Sequence, residues 1–241
     1  MRNSIFTTII ILAFAVSASA QKKISFVAPD NLKITADLYD AGAGAPVIIL
    51  CHEANSSRGE FKNAAPKLVA MGFTCLAIDM RAGGTTNGIA NETTPDAIEK
   101  KFPIALLYGE QDMLAAITYA EENLKAEKII LLGSSYSAGL ALMIGAYDDR
   151  IAAIAVFSPG EYIEDLSVST YVQYITKPTF ATGASSEISD VRAMMAGMNE
   201  DYLVLFSPSG GGVHGAKNLD QSTPNHKEYL DALERFLKRY L

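Results

Sequence analysis

Metal-ligating residues are scarce in this sequence. Its 241 residues include two cysteines and three histidines. A cysteine-rich zinc site therefore lacks ligands, and a three-histidine site would consume every imidazole in the chain. Positive charge is also in deficit. Twenty Lys and Arg stand against 27 Asp and Glu, for a net charge of −7, and no basic block occurs. Both features argue against a nucleic-acid partner. Two cysteines are too few for a disulfide scaffold. A composition that is 49% hydrophobic and 20% charged excludes a disordered or collagenous chain. What is present suffices for one large domain, or two small ones, with a well-buried core.

The long hydrophobic run needed to span a bilayer, about 20 residues, is missing too. The apolar stretch at 5–16 is shorter, follows Arg2, and leads to Ala18-Ser19-Ala20. A basic start, a short apolar centre and a small-residue end are the three parts of a cleavable signal peptide. We expect residues 1–20 to be removed and residues 21–241 to form a single exported acidic domain, secreted or periplasmic, with no membrane association after cleavage. Export would permit disulfides. Cys51 and Cys75, however, each lie inside an apolar run and read as buried small hydrophobes. A bond between them would need neighbouring strands in suitable register.

Residues 23–28 and 33–39 carry alternating or β-branched residues around Pro29-Asp30-Asn31 and predict a hairpin. Short continuous apolar runs follow at 47–51, 74–78, 128–132, 152–157, 179–182 and 202–206. Such runs suit parallel strands covered on both faces. Helical patterns separate them at 61–71, 112–124, 138–147, 189–198 and 225–240, the last strongly amphipathic. The alternation predicts an α/β fold with a doubly wound sheet. Segments 82–111 and 159–176 break the rhythm. Both follow strand ends, where open α/β sheets bind ligands, and both are read as lids or binding loops.

The informative stretch is Ile129-Ile130-Leu131-Leu132-Gly133-Ser134-Ser135-Tyr136-Ser137-Ala138-Gly139. A buried strand runs through glycine and serine into small residues and a helix. This resembles the nucleophile elbow G-x-S-x-G of the α/β-hydrolase superfamily, with Ser135 as nucleophile and Ser137 in place of the second glycine. The turn must be sharp to push the serine Oγ out of the sheet, so its flanking residues must be small. The resemblance extends over nearly all of residues 21–241. It implies a mostly parallel eight-stranded sheet flanked by helices, with no large cap domain. It places an oxyanion hole at the backbone N–H groups of Ala54, after the first parallel strand, and Tyr136, after the serine. In that first loop Glu53 stands where the family usually has glycine. His214, between glycines after the last strand, falls at the general base. An imidazole suits that role because its pKa lies near working pH.

For the acid the resemblance nominates Glu187, in the turn after the strand that begins near Pro178. Asp190 and Glu161 are alternatives. Each also reads as a helix-cap or solvated carboxylate. His52 is read as a buried imidazole holding its loop, His226 as a residue opening the last helix, and Asp79-Met80-Arg81 as a structural clamp. Tyr162, Tyr171 and Tyr174 either line a pocket or pack as half-buried aromatics.

The expected function is that of an exported serine hydrolase acting on a small carboxylic ester through an acyl-enzyme, with no metal or organic cofactor. Length and the missing cap are similar to the dienelactone-hydrolase-like group. Its founding members use cysteine, so a lactone substrate does not carry over to Ser135. Two other readings stand: a non-catalytic binding protein of the same fold, and a serine peptidase acting on a peptide substrate. The motifs do not specify the oligomeric state.

Overall fold

A computed structural model of the protein describes residues 21–241. The leader expected at 1–20 lies outside the described residues. Strands β1 (Lys22–Val27) and β2 (Lys33–Tyr39) form the expected hairpin. There follow β3 (Val47–Cys51), α1 (Ala65–Ala70) and β4 (Thr74–Ile78), then a small hairpin of β5 (Thr85–Thr86) and β6 (Ile89–Ala90). Next come α2 (Thr93–Glu99), α3 (Gly109–Glu122), β7 (Ile129–Ser134), α4 (Tyr136–Tyr147) and β8 (Ile151–Phe157). The chain closes with α5 (Ser169–Val172), β9 (Thr179–Thr182), α6 (Ile188–Met195), β10 (Leu203–Leu205) and α7 (His226–Leu237).

Eight strands form one sheet in the order β1-β2-β4-β3-β7-β8-β9-β10. β1 and β2 are antiparallel to their neighbours, and every pairing from β4 to β10 is parallel. Side chains alternate between the two faces of each strand. Ile49, Leu131, Ile154 and Val156 meet α3, α4 and α6 on one face. Ile48, Leu50, Ile130, Leu132 and Phe157 meet α1 and α7 on the other. Covering both faces buries every residue of β3, β4 and β7. Each fully buried Leu or Ile there contributes about 1.5–3 kcal/mol. Helix α4 lies so deep that Tyr136 to Gly145 are all buried, hence its lack of a polar face. No described helix is long and apolar enough to cross a membrane.

Cys51 and Cys75 are free and buried. They belong to the cores on opposite faces of the sheet, and burial pushes both thiols up.

The lid expected over 82–111 is corrected for most of that segment. Helix α2 packs on the sheet through the fully buried Ala97. Asn91 is buried and its Nδ2 donates to Met80 O at 2.8 Å. Glu92 N–H donates to Asp79 Oδ2 at 2.8 Å. Asn91 thus serves as an internal fastener and the exposed Glu92 reaches in to Arg58 at 2.8 Å, roles that composition alone does not distinguish from those of solvated loop residues.

Candidate active site

Every parallel strand delivers its C-terminal end to one edge of the sheet. The loops after β3, β7, β8, β9 and β10 therefore converge, and the expected site residues lie on them. Ser135 Oγ is 2.8 Å from His214 Nε2, and His214 Nδ1 is 2.7 Å from Glu187 Oε1. The three side chains come from the ends of β7, β10 and β9. They form one continuous hydrogen-bonded chain.

The turn at Ser135 is strained, as its sequence context predicts. Ser135 takes φ 59° and ψ −120°, a left-handed conformation that a side-chain-bearing residue adopts only when its surroundings hold it there. Its N–H donates to Phe157 O at 2.9 Å, which ties the turn to β8. Gly133 must be glycine, because a Cβ there would lie 2.5 Å from Ser137 O and 2.6 Å from Ala138 Cα. Ser137 does more than fit in the position usual for glycine. Its Oγ accepts from Ser134 N–H at 2.9 Å and lies 2.8 Å from Cys51 O, so the hydroxyl joins the turn to β3.

Glu187 is held on three sides. Its Oε2 accepts from Ser158 Oγ at 2.6 Å and from Ala184 N–H at 2.9 Å, while Oε1 faces His214. Burial pushes this carboxyl up, but the hydrogen bonds from Ser158, His214 and Ala184 outweigh it and hold Glu187 below the ordinary range. The two alternative acids are not brought to His214. Glu161 accepts from Val168 N–H at 2.6 Å and Ser169 N–H at 2.9 Å, at the start of α5. Asp190 is exposed in the first turn of α6.

Ser158 is a site residue the sequence reading missed. It sits at the end of β8 with φ 52°, and its N–H donates to Thr182 O at 2.7 Å. Its Oγ donates to Glu187 and accepts from Gly215 N–H at 2.9 Å. One hydroxyl thus links the acid to the residue after His214. The available signal was a serine at a strand end followed by proline, the same signal type that marked Ser135 less ambiguously through its glycine.

After β3, His52 is fully buried. Its Nδ1 lies 2.6 Å from Glu53 O, and its Nε2 accepts from Met80 N–H at 2.9 Å. The second contact requires an unprotonated Nε2, so the proton sits on Nδ1 and points at the Glu53 carbonyl. Burial pushes this imidazole down to about 4, which keeps it neutral. The Ala54 and Tyr136 N–H groups make no backbone hydrogen bond to the described residues. The Asp79-Met80-Arg81 clamp is present as expected. Asp79 pairs with Arg58, and Arg81 with Asp112 and Asp30 at 2.7 Å each. His226 opens α7, with Nδ1 2.9 Å from Thr223 O.

A cavity of about 550 Å³ opens beside His214, lined by Glu53, Glu60, Thr86, Asn87, Val213 and Lys217 among others. The tip of the β5–β6 hairpin therefore walls the site, the part of the 82–111 expectation that holds. Of the three tyrosines, Tyr162 meets the His214 ring edge-on at a centroid distance of 5.8 Å. Tyr171 packs against the core, and Tyr174 is exposed. Among the described residues, no cluster of three or more His, Cys, Asp or Glu is arranged to hold a metal ion.

Comparison with known proteins agrees with this fold. The chain is 28% identical over 151 residues to the acyltransferase drtE of Aspergillus calidoustus, covering 61% of this chain and 46% of the relative. It is 27% identical over 186 residues to the quorum-quenching protein AidA of Acinetobacter baumannii, covering 75% and 56%. The chain thus spans about half the length of these curated relatives. Among solved structures, the esterase Pf2001 of Pyrococcus furiosus superposes with a TM-score of 0.71 at 19% identity, over 91% of this chain and 92% of that one. A dienelactone hydrolase from Anabaena variabilis gives 0.67 at 16% identity, over 93% and 99%. The family model for the alpha/beta hydrolase fold matches residues 46–231. That span runs from just before β3 into α7 and takes in Ser135, Glu187 and His214, and the chain belongs to the alpha/beta hydrolase fold family.

Proposed function

We propose that this protein is a serine hydrolase that cleaves a small carboxylic ester through an acyl-enzyme. The observation that carries the reading is the hydrogen-bonded chain Ser135–His214–Glu187, with contacts of 2.8 and 2.7 Å, behind a nucleophile in a strained turn. Ser135 Oγ attacks the ester carbonyl carbon as its proton passes to His214 Nε2. Glu187, accepting from Nδ1, orients the imidazole and balances the imidazolium charge. The Ala54 and Tyr136 N–H groups bind the oxyanion, and the Tyr136 amide lies at the N-terminus of α4, where the helix dipole favours negative charge. Collapse breaks the bond to the leaving alkoxide, which takes the proton from His214. Water then attacks the acyl-enzyme, gives a proton to His214, and releases the acid as Ser135 regains its proton.

Similar proteins named esterase and acyltransferase support chemistry on acyl groups. The acyltransferase likeness favours one further reading, in which an acceptor alcohol replaces water in the second half-reaction. The test is turnover of matched esters and amides by residues 21–241, with Ser135→Ala beside them and an added alcohol as competing acceptor. Ester cleavage lost in Ser135→Ala supports the hydrolase. Faster turnover of the amides points to a peptidase, and a transesterified product to acyl transfer. A folded protein inert to both classes points to a binding protein.

We further infer that residues 1–20 direct export and are removed, on the sequence pattern alone. Protein recovered from the native host with Gln21 at its N-terminus supports this, and an intact N-terminus contradicts it.

A further inference from the structure

Glu60 is a carboxyl that the reaction scheme does not use, yet it is only 2% exposed. It sits on the 3₁₀ turn Arg58–Phe61. Ser57 Oγ caps this turn by accepting from Gly59 N–H at 3.1 Å, and Arg58 anchors it to Asp37 and Asp79. From that fixed base, Glu60 Oε2 accepts from Glu53 N–H at 3.0 Å. Its Oε1 has no hydrogen-bond partner among the described residues.

Glu53 is the residue whose carbonyl begins the peptide unit ending in the Ala54 N–H. A peptide unit is planar and trans, so its C=O and N–H point in opposite directions. Holding the carbonyl therefore aims the amide. His52 Nδ1 holds the Glu53 carbonyl at 2.6 Å, and Glu60 holds the other backbone group of the same residue. We propose that Glu60 is a positioning residue for the oxyanion-binding Ala54 N–H, clamping Glu53 from one side while His52 clamps it from the other. This inference rests on the serine-hydrolase reading.

The charged and titratable groups around Glu60 give the clamp a pH dependence. Burial, followed by the Glu53 carboxylate, pushes Glu60 up to about 7. Lys217, from the turn after His214, pairs with Glu53 and feels Glu60 as well. The Cys51 thiol on β3 and the Tyr136 phenol on α4 also face it, and burial pushes both up, so they stay neutral. An ionised carboxylate accepts a hydrogen bond more strongly than its protonated form, so the grip on Glu53 tightens as pH rises through neutrality. The unpartnered Oε1 can carry the proton below that pH without displacing the Oε2 contact.

The test uses Glu60→Gln and Glu60→Leu in residues 21–241. The readouts are kcat per fluorophosphonate-titrated site, KM, and the ¹⁵N shift of the Glu53 amide against pH. Glutamine keeps an acceptor and loses the ionisation. We expect kcat within about 3-fold of wild type at neutral pH, and loss of a titration of the Glu53 amide centred near neutrality. Leucine loses the acceptor. We expect kcat to fall about 30-fold with KM changed less than about 3-fold, a fraction of the roughly 10²–10³ that loss of an oxyanion donor costs. Unchanged kcat per site in the leucine variant would overturn the proposal. So would a Glu53 amide titration shared by wild type and Glu60→Gln, and this second criterion decides the matter if the leucine variant does not fold. A wild-type protein inert to esters and to fluorophosphonate fails the hydrolase reading, and the amide titration still reports whether Glu60 grips the loop.

Discussion

The loops after β3 and β10 each place a histidine at the same edge of the sheet, and they put the two rings to opposite uses. His52 is fully enclosed, and both its nitrogens are engaged by backbone groups. Burial pushes it down to about 4, so near neutral pH it neither gains nor gives a proton. The His214 side chain is 41% exposed, and its nitrogens meet two side chains, a hydroxyl and a carboxylate. A ring whose Nδ1 faces a carbonyl and whose Nε2 meets only N–H donors, those of Met80 and of the Asn91 amide at 3.2 Å, can set geometry. One that bridges a hydroxyl and a carboxylate can move a proton. What separates them is the identity of their partners, since the residue type and the position at a strand end are shared.

The largest expected effect breaks the comparison at its active side. His214→Ala should lower kcat by about 10⁴-fold or more and leave the melting temperature nearly unchanged, since His214 is partly exposed and its partners retain other contacts. A loss under 10-fold, measured by steady-state ester hydrolysis, would contradict its role as base. Glu187→Gln should cost about 10³–10⁴-fold by removing the charge that balances the imidazolium and by offering an amide that can hold the ring in the wrong tautomer. Glu161→Gln should cost under about 3-fold, since single polar changes away from the reacting groups have small effects. Equal losses in the two variants would sink the assignment of the acid.

The structural side should break in stability. His52→Leu leaves the Met80 N–H and the Glu53 carbonyl unpaired in the interior, at about 1–3 kcal/mol each. The gap from wild type should also depend on pH. In the folded state His52 stays neutral down to about 4, whereas in the unfolded chain it takes a proton near 6.5. Its contribution is therefore complete above about 6.5 and is lost as pH falls toward 4. The shift is worth about 3 kcal/mol across that window, so denaturant unfolding should show the wild-type advantage shrinking with acid. Glu60, raised to about 7, acts in the opposite direction over the overlapping range, because the folded state takes up its proton first. For that reason the difference between variant and wild type is the quantity to follow.

A more modest loss sharpens the active side. Ser158→Ala removes one of three donors to Glu187 and the acceptor for Gly215 N–H. We expect kcat to fall about 10-fold, in keeping with the value of one charge-assisted hydrogen bond. The Glu187 carboxyl should titrate at higher pH than in wild type, as read by ¹³C carboxyl shifts. An unmoved titration would remove Ser158 from the account.

The sheet was legible in the sequence because parallel strands buried on both faces appear as unbroken apolar runs. Ser135 was legible because Gly133 and a strand-to-helix turn mark it, and His214 because glycines frame it. Glu187 emerged only through the family resemblance, since an exposed-looking acid in a turn carries no mark of the histidine it faces. The fasteners around Asn91 and Glu92 were hidden for a related reason. A polar residue that bonds buried backbone has the same composition as one facing water. Ser158 acts through contacts with Glu187 and Gly215, residues distant in the chain, and no local pattern encodes such contacts.

The central claim is that Ser135 is a nucleophile activated by His214. The most direct test is the intact mass of residues 21–241 after fluorophosphonate treatment, with peptide mapping, beside Ser135→Ala and His214→Ala. The account predicts one adduct on Ser135 of the wild type, none on Ser135→Ala, and strongly slowed labelling of His214→Ala. A folded wild-type protein that takes no adduct, or takes it on another serine, would contradict it.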